Sequence, residues 1–296
     1  MSDTVSPSCE KPYGVARVCL VWGIARSTVY LHRTGAPDTP PEKRGPLGPM
    51  SDDNLVKEIR AALDASPFYG EGHRKVWSRL RFAGIRTSKR RTLRLMRENS
   101  LLAPTRVGRP HGPRTHDGTI VTAEPDVMWG TDFTTTLTTL EGNAHVFIAV
   151  DHCTAECVGI HAAKGGNRFE ALEPIRQAVK EIFGRFEAGA AGGLAIRHDH
   201  GSAYMSDHFQ TEIAFFGMSS SPAFVRAPEG NGCAERFIRT LKENLLWVRN
   251  FDTIEQLRAA LLEFKKAYNE TWLIERHGFL SPAQARETFK PSRRAA

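Results

Sequence analysis

Three acidic side chains carry the strongest signal for chemistry in this 296-residue chain. Asp132 lies within residues 127–136, which are rich in aromatic and β-branched residues and therefore predict a strand. Asp199 ends a second predicted strand, and Glu235 begins a predicted helix after a further thirty-five residues. A carboxylate inside an apolar strand is costly to bury unless it is paired or bound to a metal. We therefore predict that the three acids converge on a divalent cation.

The donor type indicates which metal and which reaction to expect. Carboxylate oxygens are hard ligands that favour Mg²⁺ or Mn²⁺ over zinc. Two such ions about 3.5–4 Å apart can bind a phosphodiester, one activating the attacking oxygen and the other stabilising the leaving oxygen. The predicted chemistry is phosphoryl transfer without a covalent protein intermediate.

The helix that begins near Glu235 is predicted to have one apolar face and one charged face. Helical spacing places Glu235, Arg239 and Lys242 together, so that two cations could meet phosphate beside one metal-binding carboxylate. The alternative is a solvated face whose Glu–Arg pair stabilises the helix by only about 0.2–0.5 kcal/mol. The predicted buried stripe consists of Phe237, Leu241, Leu245 and Val248.

Residues 125–287 resemble the integrase-type catalytic core of insertion-sequence transposases, specifically the second-frame product of elements with two overlapping reading frames. The matching segments are, in order, 129–134, 199–204, 231–237 with Lys242, 268–269 and 280–282. The resemblance implies an α/β, RNase H-like fold with a mixed five-stranded sheet flanked by helices, and it implies Asp132, Asp199 and Glu235 as the metal ligands. His198 and His200 depart from the residues expected on either side of Asp199.

The same resemblance implies that the enzyme cleaves element ends and uses the freed 3′-hydroxyl to attack DNA, with Lys242 against the substrate strand. It also implies a homo-oligomer on DNA, a joined circular form of the element, and a first-frame protein as partner or fusion. Two alternatives stay open from the sequence. One is a DNA-binding regulator with an inactive core, and the other is an RNase H-like nuclease that hydrolyses DNA without joining it.

The net charge of +7 is concentrated in one short block. Residues 66–114 hold 13 basic and 2 acidic side chains, a distribution typical of a module that binds a polyanion. Within it, helices beginning at His73 and after Ser88 predict a helix-turn-helix. The alternative is a basic, solvated helix pair. The predicted DNA-contacting side chains of this block are Arg74, Lys75, Arg86, Lys89, Arg90, Arg91 and Arg94.

These patterns divide the chain into five segments. Residues 1–34 predict a helical pair, which is either a small helix-turn-helix or a hairpin for packing or partner binding. Residues 35–50 are a linker rich in Pro and Gly, and residues 105–122 are a connector whose arginines could follow a DNA backbone. Between them lies the basic domain, 51–104. The catalytic core is assigned to 123–290.

Within the core, three successive strands followed by alternating helices and strands predict a mixed sheet. Asp151 is expected to begin a turn rather than to act as a fourth metal ligand. The predicted strands are 127–136, 143–150, 156–161, 194–199 and 217–221, and the predicted helices are 168–187, 206–216, 232–248 and 253–269.

The remaining composition points to an intracellular protein. The five cysteines are odd in number and lack zinc-type spacing, so reduced thiols are expected. No apolar segment approaches the length of a membrane span. With the family resemblance, this predicts a protein of the bacterial cytoplasm that associates with the nucleoid and not with membranes.

Overall fold

The computed structural model describes residues 3–34, 50–104, 120–223 and 228–289. It divides the chain into two compact units, Met1–Pro49 and Met50–Ala296. Apart from Met50, the predicted linker 35–50 lies outside the described residues, and so does most of the predicted connector 105–122.

The first unit contains two short helices, α1 (Gly14–Trp22) and α2 (Arg26–Thr34). Gly23 ends α1 in the left-handed conformation, with φ of +63°, a geometry that glycine adopts without strain. The predicted helical pair is therefore confirmed as secondary structure.

The second unit begins with a three-helix domain made of α3 (Asp52–Asp64), α4 (His73–Phe82) and α5 (Lys89–Glu98). Ser88 caps α5 by accepting a hydrogen bond from the Arg91 backbone N–H at 3.1 Å. Burial of a large apolar side chain stabilises such a domain by about 1.5–3 kcal/mol. Its small core consists of Leu55, Ile59, Val76, Leu80, Leu95 and Met96.

The catalytic core is built on a five-stranded sheet in the order β3-β2-β1-β4-β5. Strands β1, β2 and β3 form an antiparallel meander, whereas β4 and β5 add in parallel beside β1. This mixed topology confirms the predicted RNase H-like fold class. The strands are β1 (Met128–Thr138), β2 (Gly142–Asp151), β3 (Cys157–Ala163), β4 (Ala195–His198) and β5 (Ser219–Pro222).

Helices cover both faces of this sheet because β2 is apolar on both sides. Val146 and Ile148 pack with α8 (Gly232–Leu241) and α9 (Ile254–Thr271). Phe147 and Ala149 point the opposite way and pack with α6 (Arg168–Phe183) and α7 (Asp207–Phe215). The alternation follows the two-residue period of a strand. Strand β1 lies at the centre of the sheet because β2 and β4 flank it.

Two predicted helix boundaries are wrong. Helix α6 ends at Phe183 and not at 187, because Gly184 takes a φ of +69° and stops it. Helix α8 ends at Leu241 and continues as a π-helical turn, Lys242–Leu246, rather than running to 248. A π turn adds a residue to the helical repeat. Val248, predicted to be buried, is consequently 55% exposed.

The three-helix domain packs against the catalytic core. Phe68, in the loop between α3 and α4, is buried among core residues, with its ring 4.8 Å from the Trp272 ring. The next backbone N–H, that of Tyr69, donates to Asn244 Oδ1 at 2.8 Å. Within the core, helix α10 (Pro282–Phe289) is held to the segment before β1 by an ion pair between Arg286 and Asp126 at 2.6 Å. Residues far apart in sequence thus form one folded unit.

Candidate active site

Asp132 lies on the central strand β1, opposite Ile148 of β2. Its side chain is partly buried, and one carboxylate oxygen accepts a hydrogen bond from the Phe133 backbone N–H at 2.8 Å. The central strand is hydrogen-bonded on both sides, so it presents this carboxylate from a rigid support.

Asp199 directly follows β4, one residue beyond the end of the observed strand. Because β4 runs parallel to β1 and pairs Arg197 with Gly130, Asp199 emerges at the same edge of the sheet as Asp132. Asp199 Oδ1 accepts from the Gly201 backbone N–H at 2.8 Å. A Cβ on Gly201 would lie 2.8 Å from that same oxygen, so the tight turn requires glycine.

Glu235 lies in the first turn of α8 and is exposed to solvent. Helix α8 begins after a short 3₁₀ turn, Pro228–Asn231, and its buried face includes Phe237 and Leu241 as predicted. This packing turns the other face, with Glu235, toward the strand ends.

The three acids and Lys242 act on one another electrostatically. Burial, followed by the negative charges of Asp199 and Glu235, raises the pKa of Asp132 to about 6, while the Phe133 N–H and Lys242 oppose the rise. The structure therefore places Asp199, Glu235 and Lys242 close enough to Asp132 to change its pKa. Within the described ranges, no three His, Cys, Asp or Glu side chains lie close enough together to hold a metal ion.

His198, which departs from the expected family pattern, joins strands at the site. Its Nε2 lies 2.8 Å from Ser220 Oγ of β5, and its ring stacks on Tyr204 at 5.7 Å. Burial lowers the pKa of His198. The His198 side chain therefore links β4 to β5 through its hydrogen bond to Ser220. His200, in contrast, is exposed.

Asp151 begins a turn, as the sequence predicts. Its carboxylate accepts hydrogen bonds from the Thr154 N–H at 2.7 Å, the Thr154 hydroxyl at 2.8 Å and the Asp126 N–H at 2.9 Å. The side chain is fully buried. Asp151 therefore stabilises the turn and the segment that leads into β1.

The predicted DNA-contacting cations fall into two groups. Arg74 lies 2.9 Å and Lys89 4.0 Å from the Glu275 carboxylate of the core, and Lys75 Nζ lies over the Trp272 ring. These three side chains therefore face the core.

The other predicted DNA-contacting cations of the three-helix domain either bind within that domain or are exposed. Arg91 and Arg94 both bind Asp52 on α3, at 2.7 and 2.6 Å. Arg86 and Arg90 are exposed. On α8, Arg239 pairs with Glu243 at 3.0 Å.

Glu275 competes with any phosphate that approaches Arg74 or Lys89. Exposed ion pairs stabilise by about 0–1 kcal/mol. Replacing Glu275 with Gln is therefore expected to raise DNA affinity about two- to fivefold, measured by fluorescence anisotropy at fixed salt. Glu187→Gln is the matched control, because Glu187 pairs with Arg185 at 3.1 Å on the core surface. Equal changes in both variants would contradict a specific competition at Arg74 and Lys89.

Arg197 and Asn231 are absent from the predicted site residues, although Asn231 lies in the matching segment 231–237, and both side chains are buried. Asn231 Nδ2 donates to the Thr131 carbonyl at 3.0 Å, and Arg197 Nε donates to the Gly230 carbonyl at 3.2 Å. Their signal in the sequence is proximity, because Arg197 lies two residues before Asp199 and Asn231 four before Glu235.

Comparison with known protein families gives two matches. Residues 50–109 match the HTH-like domain, and residues 217–282 match the integrase core domain. The second match contains Glu235 and Lys242, whereas Asp132 and Asp199 lie upstream of it.

Two individual relatives are also proteins of insertion elements. The InsD transposase of insertion element IS2A/D/F/H/I/K from Escherichia coli is 27% identical over 241 residues, covering 79% of this chain and 78% of the relative. A 48.2 kDa protein of insertion element IS2A, also from E. coli, is 27% identical over 289 residues, or 94% of this chain. The match spans 66% of that longer relative.

Among solved structures, the catalytic core domain of BIV integrase superposes with a TM-score of 0.40 at 15% identity, covering 55% of this chain and 95% of that domain. The domain matches and the transposase relatives confirm the resemblance seen in the sequence. The chain therefore matches an HTH-like domain followed by an integrase core domain, and it is similar to insertion-element transposases.

Proposed function

We propose that the chain is a DNA transposase that cleaves strands at the ends of an insertion element and joins the freed 3′-hydroxyls to target DNA. One observation carries the proposal: Asp132 on β1 and Asp199 after the parallel strand β4 emerge at one edge of the sheet, and Glu235 lies in the first turn of the neighbouring helix α8. The transposase relatives and the HTH-like domain support DNA as the substrate.

The chemistry of the three acids fits a divalent cation. Burial and two nearby negative charges disfavour the ionised form of Asp132, and a bound cation would relieve that repulsion. Carboxylate oxygens suit Mg²⁺ or Mn²⁺. When bound, such a cation would supply Lewis-acid chemistry, activating the attacking hydroxyl and stabilising the leaving oxygen. Asp132, Asp199 and Glu235 are the proposed ligands. Because the three side chains lie too far apart in the described geometry to hold an ion together, binding would draw them closer.

The protein's own contribution is placement. Asp132 lies on the central strand, Asp199 on a tight turn, and Glu235 on a helix packed across the sheet. Lys242 and Arg239 are proposed to bind phosphates of the strand being cut, as charged donors that position the backbone. No protein nucleophile is needed, because the attacking group is water or a DNA 3′-hydroxyl.

End recognition is assigned to residues 51–104 and strand chemistry to residues 123–290. We propose that the chain works as a homo-oligomer on DNA, together with or fused to a first-frame protein, in the bacterial cytoplasm and at the nucleoid. No helix in the described part of the chain is long and apolar enough to cross a membrane.

The proposal is tested by incubating the chain with supercoiled plasmid, Mg²⁺ and a duplex that carries the DNA flanking its own gene. Strand transfer joins the labelled duplex to plasmid and is the expected product. Nicked plasmid without joined duplex would instead indicate a nuclease. Binding without any strand breakage would indicate a DNA-binding regulator.

Lys242 provides a finer test, because it shares the helical face of Glu235. Losing one charge-assisted contact should reduce crosslinking to end-containing DNA about tenfold in Lys242→Ala. Lys242→Arg should keep partial function, since its planar head retains the charge but shifts the strand. Lys266→Ala, on the exposed side of α9, is the matched control. If Lys242→Ala matches wild type in crosslinking and in Mn²⁺-supported cleavage, Lys242 does not contact DNA.

A further inference from the structure

The start of α8 is hydrogen-bonded to both strands that carry the aspartates. The Asn231 side-chain amide donates to the Thr131 carbonyl at 3.0 Å, one residue before Asp132. From the other strand, Arg197 Nε donates to the Gly230 carbonyl at 3.2 Å, and Arg197 lies two residues before Asp199. The residues immediately before α8 are therefore attached beside both aspartates, while the helix itself carries Glu235.

Both contacts are well buried. Asn231 and Arg197 are each only 5% exposed. Arg197 Nη1 also donates to Ser221 Oγ at 3.1 Å and to the Pro222 carbonyl at 3.2 Å, which holds its guanidinium between β5 and the segment before α8. A buried hydrogen-bonding group that loses its partner is costly, so these contacts resist displacement.

Glycines allow the close approach at both points. A Cβ on Gly130 would lie 2.6 Å from Asn231 Oδ1 and 2.7 Å from His152 Nε2. A Cβ on Gly230 would collide with the Arg197 guanidinium. Neither glycine has a positive φ, so the requirement is space and not backbone conformation. A larger residue at either position would therefore have to displace the Asn231 or Arg197 side chain from its hydrogen bonds.

We propose that Asn231 and Arg197 are positioning residues that together set Glu235 relative to Asp132 and Asp199. The inference rests on the proposed function, because the position matters only if the three carboxylates share metal ions. Such a site tolerates only about 0.5 Å of error in its ligands. In the described geometry the three side chains are not close enough to hold an ion, so the start of α8 must be held in place while the ion draws them together. The carboxylates repel one another, so a connection through buried neutral and cationic donors holds the helix where repulsion would move it.

The test compares Asn231→Ala and Arg197→Lys with the control Asn269→Ala. Arg197→Lys keeps the charge but loses the planar set of donors. Asn269 is buried to a similar degree at 8% exposure, and its amide bonds the Cys157 N–H and C=O of β3, both at 2.9 Å, through α9. It therefore matches Asn231 as a buried helix-to-strand link that touches neither aspartate strand.

Both positioning variants are expected to lose about tenfold or more in kcat for strand transfer and to need more Mn²⁺ for half-maximal rate, with the KM for DNA within about twofold of wild type. The control should lose melting temperature but keep kcat. An equal loss of kcat in the control would overturn the inference, because any damaged buried contact would then have the same effect.

Hydrogen exchange in the metal-free protein tests, without relying on catalysis, whether Asn231 and Arg197 hold the start of α8. Amides of residues 232–236 are expected to exchange about tenfold faster in Asn231→Ala and Arg197→Lys, and at the wild-type rate in Asn269→Ala. Unchanged exchange in both positioning variants would overturn the inference, whether or not activity falls. If the wild type itself transfers no strand, the proposed function fails, while the exchange rates still show whether α8 is held in this way.

Discussion

Replacing Asp132, Asp199 or Glu235 with alanine is expected to reduce DNA cleavage and strand transfer by a hundredfold or more, which corresponds to several kcal/mol of lost transition-state stabilisation. The reason is electrostatic, since each change removes one carboxylate from a set that would hold the catalytic cations. Cleavage of a labelled element-end duplex in Mg²⁺ measures the effect, and anisotropy measures DNA binding separately. Binding is expected to stay near wild type.

The control for this prediction is Asp207→Asn. Asp207 is an exposed acid in the first turn of α7, eight residues after Asp199, and its replacement removes the same charge from the same region. Its cleavage rate should stay within about twofold of wild type. Near-normal cleavage by Asp199→Ala or Glu235→Ala, with unchanged DNA binding, would contradict the assignment of the three acids.

The second large effect concerns salt. If about six phosphates are contacted, the affinity of the chain for DNA should fall on the order of a thousandfold between roughly 50 and 200 mM salt. The basic excess lies in residues 66–114. Arg86→Ala and Arg90→Ala, at exposed positions, should each reduce the slope of log K against log salt by about one.

Point variants are better than deletion here, because removing the three-helix domain would uncover the apolar surface against which Phe68 packs. Lys180→Ala serves as the control, since Lys180 is an exposed cation at the end of α6 in the core. A salt slope that falls equally in Lys180→Ala, or that stays unchanged in the Arg86 and Arg90 variants, would show that DNA affinity resides elsewhere.

The acids were predictable from sequence because their signals are local. A strand pattern around Asp132 and a helical repeat after Glu235 each extend over about ten residues, and a parallel arrangement then places the strand ends together. The mixed sheet followed from the order of these elements. The amphipathic helix α3, with Leu55 and Ile59 buried, carries an equally local pattern, yet it was not among the predicted elements.

The contacts beside the acids were not predictable, because they join distant parts of the chain. Asn231 and Thr131 are 100 residues apart, and Arg74 and Glu275 are 201 apart. The charge distribution located the basic domain but not which of its cations face the core. Likewise, the helical repeat predicted Val248 to be buried, and this was wrong. A 3.6-residue pattern does not indicate the π turn at Lys242–Leu246.

The central claim is that the three carboxylates support a direct, one-step transfer of a DNA strand. A target duplex with a single phosphorothioate of known chirality at the joining site tests this most directly. In-line attack by the 3′-hydroxyl inverts the configuration at phosphorus, so we expect an inverted joined product from wild type and no joined product from Asp199→Ala. Retained configuration, which requires two displacements through a covalent protein intermediate, would contradict it.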